Sequence, residues 1–164
     1  MVKTISVFLI LNLMLLACSS KKEEGAVTAA STPRVNEYPD LVLTFSNGEK
    51  LATKTLKGNN VFILFQPDCD HCQHEAVEIG QHLNEFKDYT LYFISSSPME
   101  QIMKFAKDFD LAGKKNVRFA WTTNESVLTY YGAIPTPSIY VYADGELRTS
   151  FNGQTGVGEI VKAL

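Results

Sequence analysis

Val61-Phe62-Ile63-Leu64-Phe65-Gln66-Pro67-Asp68-Cys69-Asp70-His71-Cys72 runs five apolar residues without a break toward a Cys-x-x-Cys pair. A short continuous apolar run is the pattern of a strand buried on both faces. Beyond the cysteines, Ala76, Ile79, Leu83 and Phe86 recur at helical spacing, which predicts a helix with one face packed on the sheet. A strand that hands a Cys-x-x-Cys pair to the first turn of a helix sets the first sulfur among unpaired backbone N–H groups and at the positive end of the helix dipole. Both favour thiolate over thiol. The thiolate is the nucleophile of disulfide exchange, so this stretch implies thiol-disulfide chemistry on an alternating strand-helix scaffold.

The chain of 164 residues has three cysteines, and the third has its own explanation. Lys3 precedes an apolar stretch from Ile5 to Leu16, and Leu15-Leu16-Ala17-Cys18 closes it. The stretch is short for a membrane span, which takes roughly 20 residues, and its basic start and small-residue end fit an export signal. Leu-Leu-Ala-Cys resembles a bacterial lipobox, which implies that Cys18 becomes the lipidated N-terminus. The alternative is an ordinary secretory signal with a coincidental cysteine. Under either reading Cys69 and Cys72 reach a compartment that permits disulfides.

Ser19 to Pro33 is made of small, charged and Pro residues with no apolar period, the composition of a flexible tether. The expected organisation is therefore a signal peptide at 1–17, a lipidated cysteine and tether at 18–37, and one domain at 38–164. An apolar content of 45% and an aromatic content of 11% are ample for a single core. The formal charge is −3, and no basic cluster lies along the domain, which argues against nucleic acid as a partner. Around Asn47-Gly48, Leu41–Phe45 and Glu49–Leu51 are expected to form a hairpin. Further strands are expected at Thr90–Ile94, Val117–Trp121, Ser138–Tyr142 and Glu146–Phe151. Helices are expected at Met99–Phe109, after an N-cap at Asn124, and at the C-terminus through Val157, Ile160, Val161 and Leu164.

Several segments together resemble the thioredoxin fold, and within it the TlpA/ResA-like membrane-tethered thiol-disulfide oxidoreductases. They are Tyr38-Pro39-Asp40-Leu41-Val42-Leu43 with Asn47-Gly48, Leu56-Lys57-Gly58 before the strand, the Cys69–Cys72 pair, and Tyr131-Gly132-Ala133-Ile134-Pro135-Thr136-Pro137-Ser138 ahead of Ile139–Tyr142 and Asp144-Gly145. The resemblance implies a central mixed β-sheet flanked by helices, with an N-terminal β-hairpin. It also implies a cis proline at Pro137, with Pro135 the alternative, and gives Thr136 and Pro137 the docking of client peptide beside the cysteines. The chain departs from thioredoxins at Asp68, where they keep Trp, at Gln66-Pro67, and at Ile63, where they keep a buried Asp.

Cys69, at the exposed helix start, reads as the attacking sulfur, and Cys72, one turn in, as the resolving one. His71, if protonated or donating a hydrogen bond, would stabilise the Cys69 thiolate and so make the disulfide more oxidising; the more oxidising branches of the superfamily also carry histidine there. Asp68 and Asp70 act in the opposite sense. Glu75, three residues after Cys72, matches the active-site glutamate of ResA-like members, which implies a carboxylate that handles the proton of the resolving thiol. Each of these polar residues could instead be an ordinary solvated residue at a helix start.

The expectation is an exported thiol-disulfide oxidoreductase, lipid-anchored in the cell envelope with the outer membrane preferred, more a client reductase than an oxidase or isomerase. It needs no cofactor or metal beyond the Cys69–Cys72 pair. Its expected partners are client proteins with cysteine pairs, a membrane thiol electron donor and the membrane itself, and it is expected to be a monomer. Three rivals share the fold. A peroxiredoxin-type peroxidase lacks its Pro-x-x-x-Thr-x-x-Cys pattern, because Pro67 lies two residues before Cys69 with no Thr between. A copper or zinc carrier would use Cys69, His71, Cys72 and His74, yet His82 is the only further histidine. The third is a binding lipoprotein without catalysis.

Overall fold

The computed structural model describes residues 37–164, so the expected signal peptide, Cys18 and nearly all of the tether lie outside the described residues. One mixed sheet of seven strands runs in the order β2-β1-β5-β4-β3-β6-β7. Its strands are β1 (Val42–Thr44), β2 (Lys50–Ala52), β3 (Asn60–Leu64), β4 (Thr90–Ser95), β5 (Val117–Trp121), β6 (Ser138–Ala143) and β7 (Glu146–Asn152). β3, β4 and β5 are parallel neighbours, while β1–β2, β1–β5, β3–β6 and β6–β7 are antiparallel. This is the thioredoxin-like arrangement with an N-terminal hairpin. The turn between β1 and β2 places Gly48 at φ +83°, a backbone region that glycine enters without steric cost.

β3 lies mid-sheet, and all five of its residues are buried. Its alternate residues enter two different cores. Val61 and Ile63, with Phe65 beyond the strand end, pack with Ala76 and Ile79 of α1 (Asp70–Gln81), Ile102 and Phe105 of α2 (Met99–Asp108) and Ile160 of α4 (Val157–Val161). Phe62 and Leu64 pack on the other face with Leu41, Leu43, Tyr92 and Tyr142, and with Val127 and Tyr131 of α3 (Asn124–Tyr131). Burying each such side chain contributes roughly 1.5–3 kcal/mol, which holds the strand end that carries the cysteines.

Three details differ from the sequence reading. The helix after the cysteines stops at Gln81, short of Leu83 and Phe86. From His82 onward, i→i−3 bonds such as Glu85 N–H to His82 O and Phe86 N–H to Leu83 O replace the α-helical ladder, so tighter turns still bring Leu83 and Phe86 to the core. The cap of α3 is Thr123, whose hydroxyl accepts from Ser126 N–H; Asn124 is the first helical residue. Glu37, assigned to the tether, makes an isolated antiparallel bridge with Glu146. Among the described residues no helix is long and apolar enough to cross a membrane.

Candidate active site

The chain leaves β3 through Phe65, whose N–H donates to Ile94 O, and crosses Gln66-Pro67-Asp68 to the start of α1. That crossing is fastened from two sides. Gln66 Oε1 accepts from Ser97 Oγ at 2.6 Å, and Gln73 Nε2 donates to Pro67 O at 3.1 Å. Cys69 is the N-cap of α1, in extended backbone, and its sulfur accepts from Cys72 N–H at 3.2 Å. A sulfur thus takes the place of the Ser or Asp oxygen that usually caps a helix, and meets one of its unpaired donors.

Two more donors meet the same atom. Cys72 Sγ–H lies 2.6 Å from Cys69 Sγ, and Thr136 Oγ1 lies at 3.8 Å. Three donors thus converge on one sulfur at a helix start. Cys72 is in the opposite situation, 2% exposed. Burial pushes its thiol well above the ordinary range, and the hydrogen bond to Cys69 pushes the same way. Both cysteines are free. One half-exposed sulfur surrounded by donors and one buried sulfur held as a thiol suit an attacking and a resolving role.

The peptide bond between Thr136 and Pro137 is cis, and that before Pro135 is not. It lies against Cys69, whose Sγ–H reaches Thr136 O at 3.5 Å. Beside it opens a cleft of about 210 Å³ lined by Gln66, Ser95, Val127, Leu128, Ile134 and Thr136, with Leu128 48% exposed. An apolar-walled cleft next to a nucleophile has the shape that an extended chain could enter.

Glu75 is 1% exposed, far more buried than a helix-surface glutamate. Its Oε2 accepts from Thr155 N–H at 2.8 Å, while its Oε1, though buried, has no hydrogen-bond partner among the described residues. Burial raises its carboxyl to about 7, helped by the nearby charge of Glu78 and opposed by the Thr155 N–H. Lying one turn from Cys72 on the same helix, it can change protonation near neutral pH. His71 is exposed, and its Nδ1 lies 2.7 Å from Gln154 Oε1. Asp68 and Asp70 are exposed as well. Among the described residues no three His, Cys, Asp or Glu side chains converge to hold a metal ion, so His74 does not join Cys69, His71 and Cys72 in a ligand set.

The structure therefore brings together Cys69, Cys72, Thr136 and Pro137, and sets Glu75 one turn behind them. Sequence reasoning missed Gln154 and Thr155, which reach His71 and Glu75 from the loop between β7 and α4. Gly153-Gln154-Thr155-Gly156 is a polar, glycine-flanked turn by composition, and no local pattern announces contacts some 80 positions away.

A family model described as "AhpC/TSA family" matches residues 35–151. The thiol-disulfide oxidoreductase ResA of Bacillus thuringiensis subsp. konkukian is 26% identical over 123 residues, covering 72% of this chain and 69% of that protein. A secreted Mycobacterium tuberculosis disulfide oxidoreductase homologous to E. coli DsbE superposes with a TM-score of 0.63 at 19% identity, over 76% of this chain and 96% of its own. A protein of Bacteroides thetaiotaomicron, described as a putative protein disulfide isomerase, gives 0.64 at 14% identity, over 78% of this chain and 85% of its own. The thioredoxin-like fold and the likeness to TlpA/ResA-like oxidoreductases expected from the sequence are met by these matches.

Proposed function

This chain belongs to the AhpC/TSA family, and from that premise we propose that it is a thiol-disulfide oxidoreductase working on client proteins outside the cytoplasm through Cys69 and Cys72, in the reducing direction. The observation that carries the reading is the pair of sulfurs 2.6 Å apart, one half-exposed among three donors and the other buried. In the reductive cycle the Cys69 thiolate attacks one sulfur of a client disulfide. An S–S bond forms to Cys69, and the other client sulfur leaves as thiolate and takes up a proton. Cys72 then gives its proton to a base and attacks Cys69, which closes the Cys69–Cys72 disulfide and releases the second client thiol. Two electrons pass to the client, and a membrane thiol donor would return them.

Glu75 is suited to be the base. A buried carboxyl raised to about 7 is partly ionised at neutral pH and can exchange a proton with a thiol one turn away. Thr136 and Pro137 would dock the client backbone beside Cys69, and the cleft at Leu128 and Ile134 would take an apolar client side chain. Lipidation at Cys18 would hold the domain at an envelope membrane, the outer one preferred, through the tether ending near residue 37. Labelling with a radioactive fatty acid, lost in Cys18→Ser, tests that anchor.

The deciding experiment is the reduction potential of the Cys69–Cys72 pair against glutathione and dithiothreitol, together with turnover of insulin disulfides. A potential near roughly −270 mV supports client reduction. One near roughly −120 to −180 mV favours oxidation or isomerisation, the reading that His71 between the cysteines supports. No turnover would favour a binding lipoprotein without catalysis.

A further inference from the structure

The five residues that follow β7, Gly153 to Val157, bond four times to the site and to the helix that carries it. Gly153 N–H donates to Pro137 O at 2.8 Å, next to the cis bond. Gln154 Oε1 lies 2.7 Å from His71 Nδ1. Thr155 N–H donates to Glu75 Oε2 at 2.8 Å, and Val157 N–H to Glu78 Oε2 at 3.1 Å. Thr155 Oγ1 closes back on Gly153 O at 3.2 Å, and Gly153 holds φ +89°, where a residue with a β-carbon is strained. The turn is thus tied to the docking strand on one side and to α1 on the other, which leaves Gln154 between them with its side chain on His71, one of the two residues between the cysteines.

The chemistry at that contact is directional. A side-chain amide oxygen only accepts, so with Oε1 facing the ring the 2.7 Å contact is a hydrogen bond when Nδ1 carries the proton. Nδ1–H then donates to Gln154 both in the neutral ring and in the imidazolium. Nε2 is left without a proton in the neutral ring.

Resting on the exchange function proposed above, we propose that Gln154 is a positioning residue: it accepts the Nδ1–H of His71, fixes the neutral imidazole as the Nδ1–H tautomer and holds the ring at the start of α1. The ring so held lies two residues from Cys69 in the first turn of α1, and a cationic form there would favour a thiolate on Cys69. Gln154 thereby stabilises the reduced state through His71 and touches no reacting atom itself.

The test has two arms, both on the full chain in detergent. Long-range 1H–15N spectra of the imidazole ring report which nitrogen carries the proton. Nδ1–H in the wild type, reverting to the mixture of a free imidazole in Gln154→Leu, is the expected result. Nε2–H in the wild type overturns the proposal, because the amide would then face His71 with its NH2. In the second arm the equilibrium constant with glutathione is measured for wild type, Gln154→Leu, His71→Ala and the double variant. Gln154→Leu should shift the pair toward the disulfide by about threefold, the scale of one net hydrogen bond, and should shift nothing in the His71→Ala background. A shift of equal size in both backgrounds, or none in either, overturns the proposal, since a merely structural loop residue would act without regard to His71. If the pair fails to equilibrate with glutathione at any ratio while His71 still shows Nδ1–H, the exchange function is what falls, and the role assigned to Gln154 falls with it.

Discussion

Asn60 and Glu75 are both buried polar residues, 2% and 1% exposed, and the structure treats them in opposite ways. Asn60 opens β3 at the end away from the cysteines. Its Nδ2 reaches Tyr38 Oη at 2.5 Å, Lys57 O at 3.1 Å and Gly58 O at 3.2 Å, while Tyr38 Oη itself donates to Gly58 O. Nearby, Thr53 Oγ1 donates to Pro39 O and accepts from Leu41 N–H. That end is saturated with partners, and its purpose is to fix the strand. Glu75, on the helix beyond the other end of β3, keeps one buried oxygen with no partner among the described residues, and its carboxyl is raised to about 7. A saturated network gives rigidity, whereas a half-satisfied acid gives a group that titrates where the chemistry needs it, at a cost in stability. The contrast separates scaffold from site within one small domain.

The largest effect should come from the site end without touching stability. Cys69→Ser should abolish insulin turnover and leave the melting temperature within a few degrees, while Cys72→Ala should accumulate mixed disulfides with clients, visible on non-reducing gels. Capture of no cysteine-linked client by Cys72→Ala would break the distinction, because the two sulfurs would then have no separate roles. Next comes Glu75. The folded carboxyl keeps its proton up to about pH 7, the unfolded one only to its ordinary 4.5, so between those values the native state binds more protons. Stability must therefore fall as pH rises through that window, by about 3 kcal/mol in all. Glu75→Gln, which keeps an acceptor for Thr155 N–H and carries no charge, should flatten that slope in urea titrations at pH 5 and pH 8. A wild type equally stable at both would show that Glu75 is not held protonated.

How much of this contrast the sequence carried depends on the range of the interactions involved. The strand from Val61 and the cysteines at the start of its helix were legible because the signals are local: an unbroken apolar run, then a change to helical period. The hairpin at Asn47-Gly48 was legible for the same reason. The helix end at Gln81 was not, because Leu83 and Phe86 keep apolar spacing through a switch from α-helical to tighter turns, and periodicity cannot separate the two. Thr123 outcompeted Asn124 as cap, although both are good capping residues one position apart. Glu75 stood out by its spacing from Cys72, but Thr155, which bonds its carboxylate, lies 80 positions on, and Gln154 reaches His71 across 83 positions. Contacts of that separation are fixed by topology and leave no mark on the neighbouring residues.

The scaffold end should respond to mutation in stability alone. Asn60→Ala removes the donor to the Tyr38 phenol oxygen and to Lys57 O, and leaves Gly58 O with Tyr38 Oη alone. It should lower the free energy of unfolding by about 2 kcal/mol, with no change in pH slope and no change in the reduction potential. A shift in the potential would mean that the two ends are coupled through β3 and that the division drawn above is too sharp.

The finest probe is Glu78, which adjoins the site without belonging to it. Its Oε2 holds Val157 N–H, and its charge adds to the effect of burial in raising the Glu75 carboxyl. Glu78→Gln preserves an acceptor for Val157 and removes the charge. Net stability should change by less than about 1 kcal/mol, since one hydrogen bond is kept and only the repulsion between two carboxylates is relieved. The sign of the secondary effect is fixed: with the neighbouring charge gone, Glu75 ionises more easily, so the upper edge of the pH window over which stability falls should move to lower pH. An upper edge that stays in place would mean that burial alone sets the protonation of Glu75. One that collapses toward 4.5 would mean that the pair of glutamates, rather than the dry surroundings of one of them, keeps the proton beside Cys72.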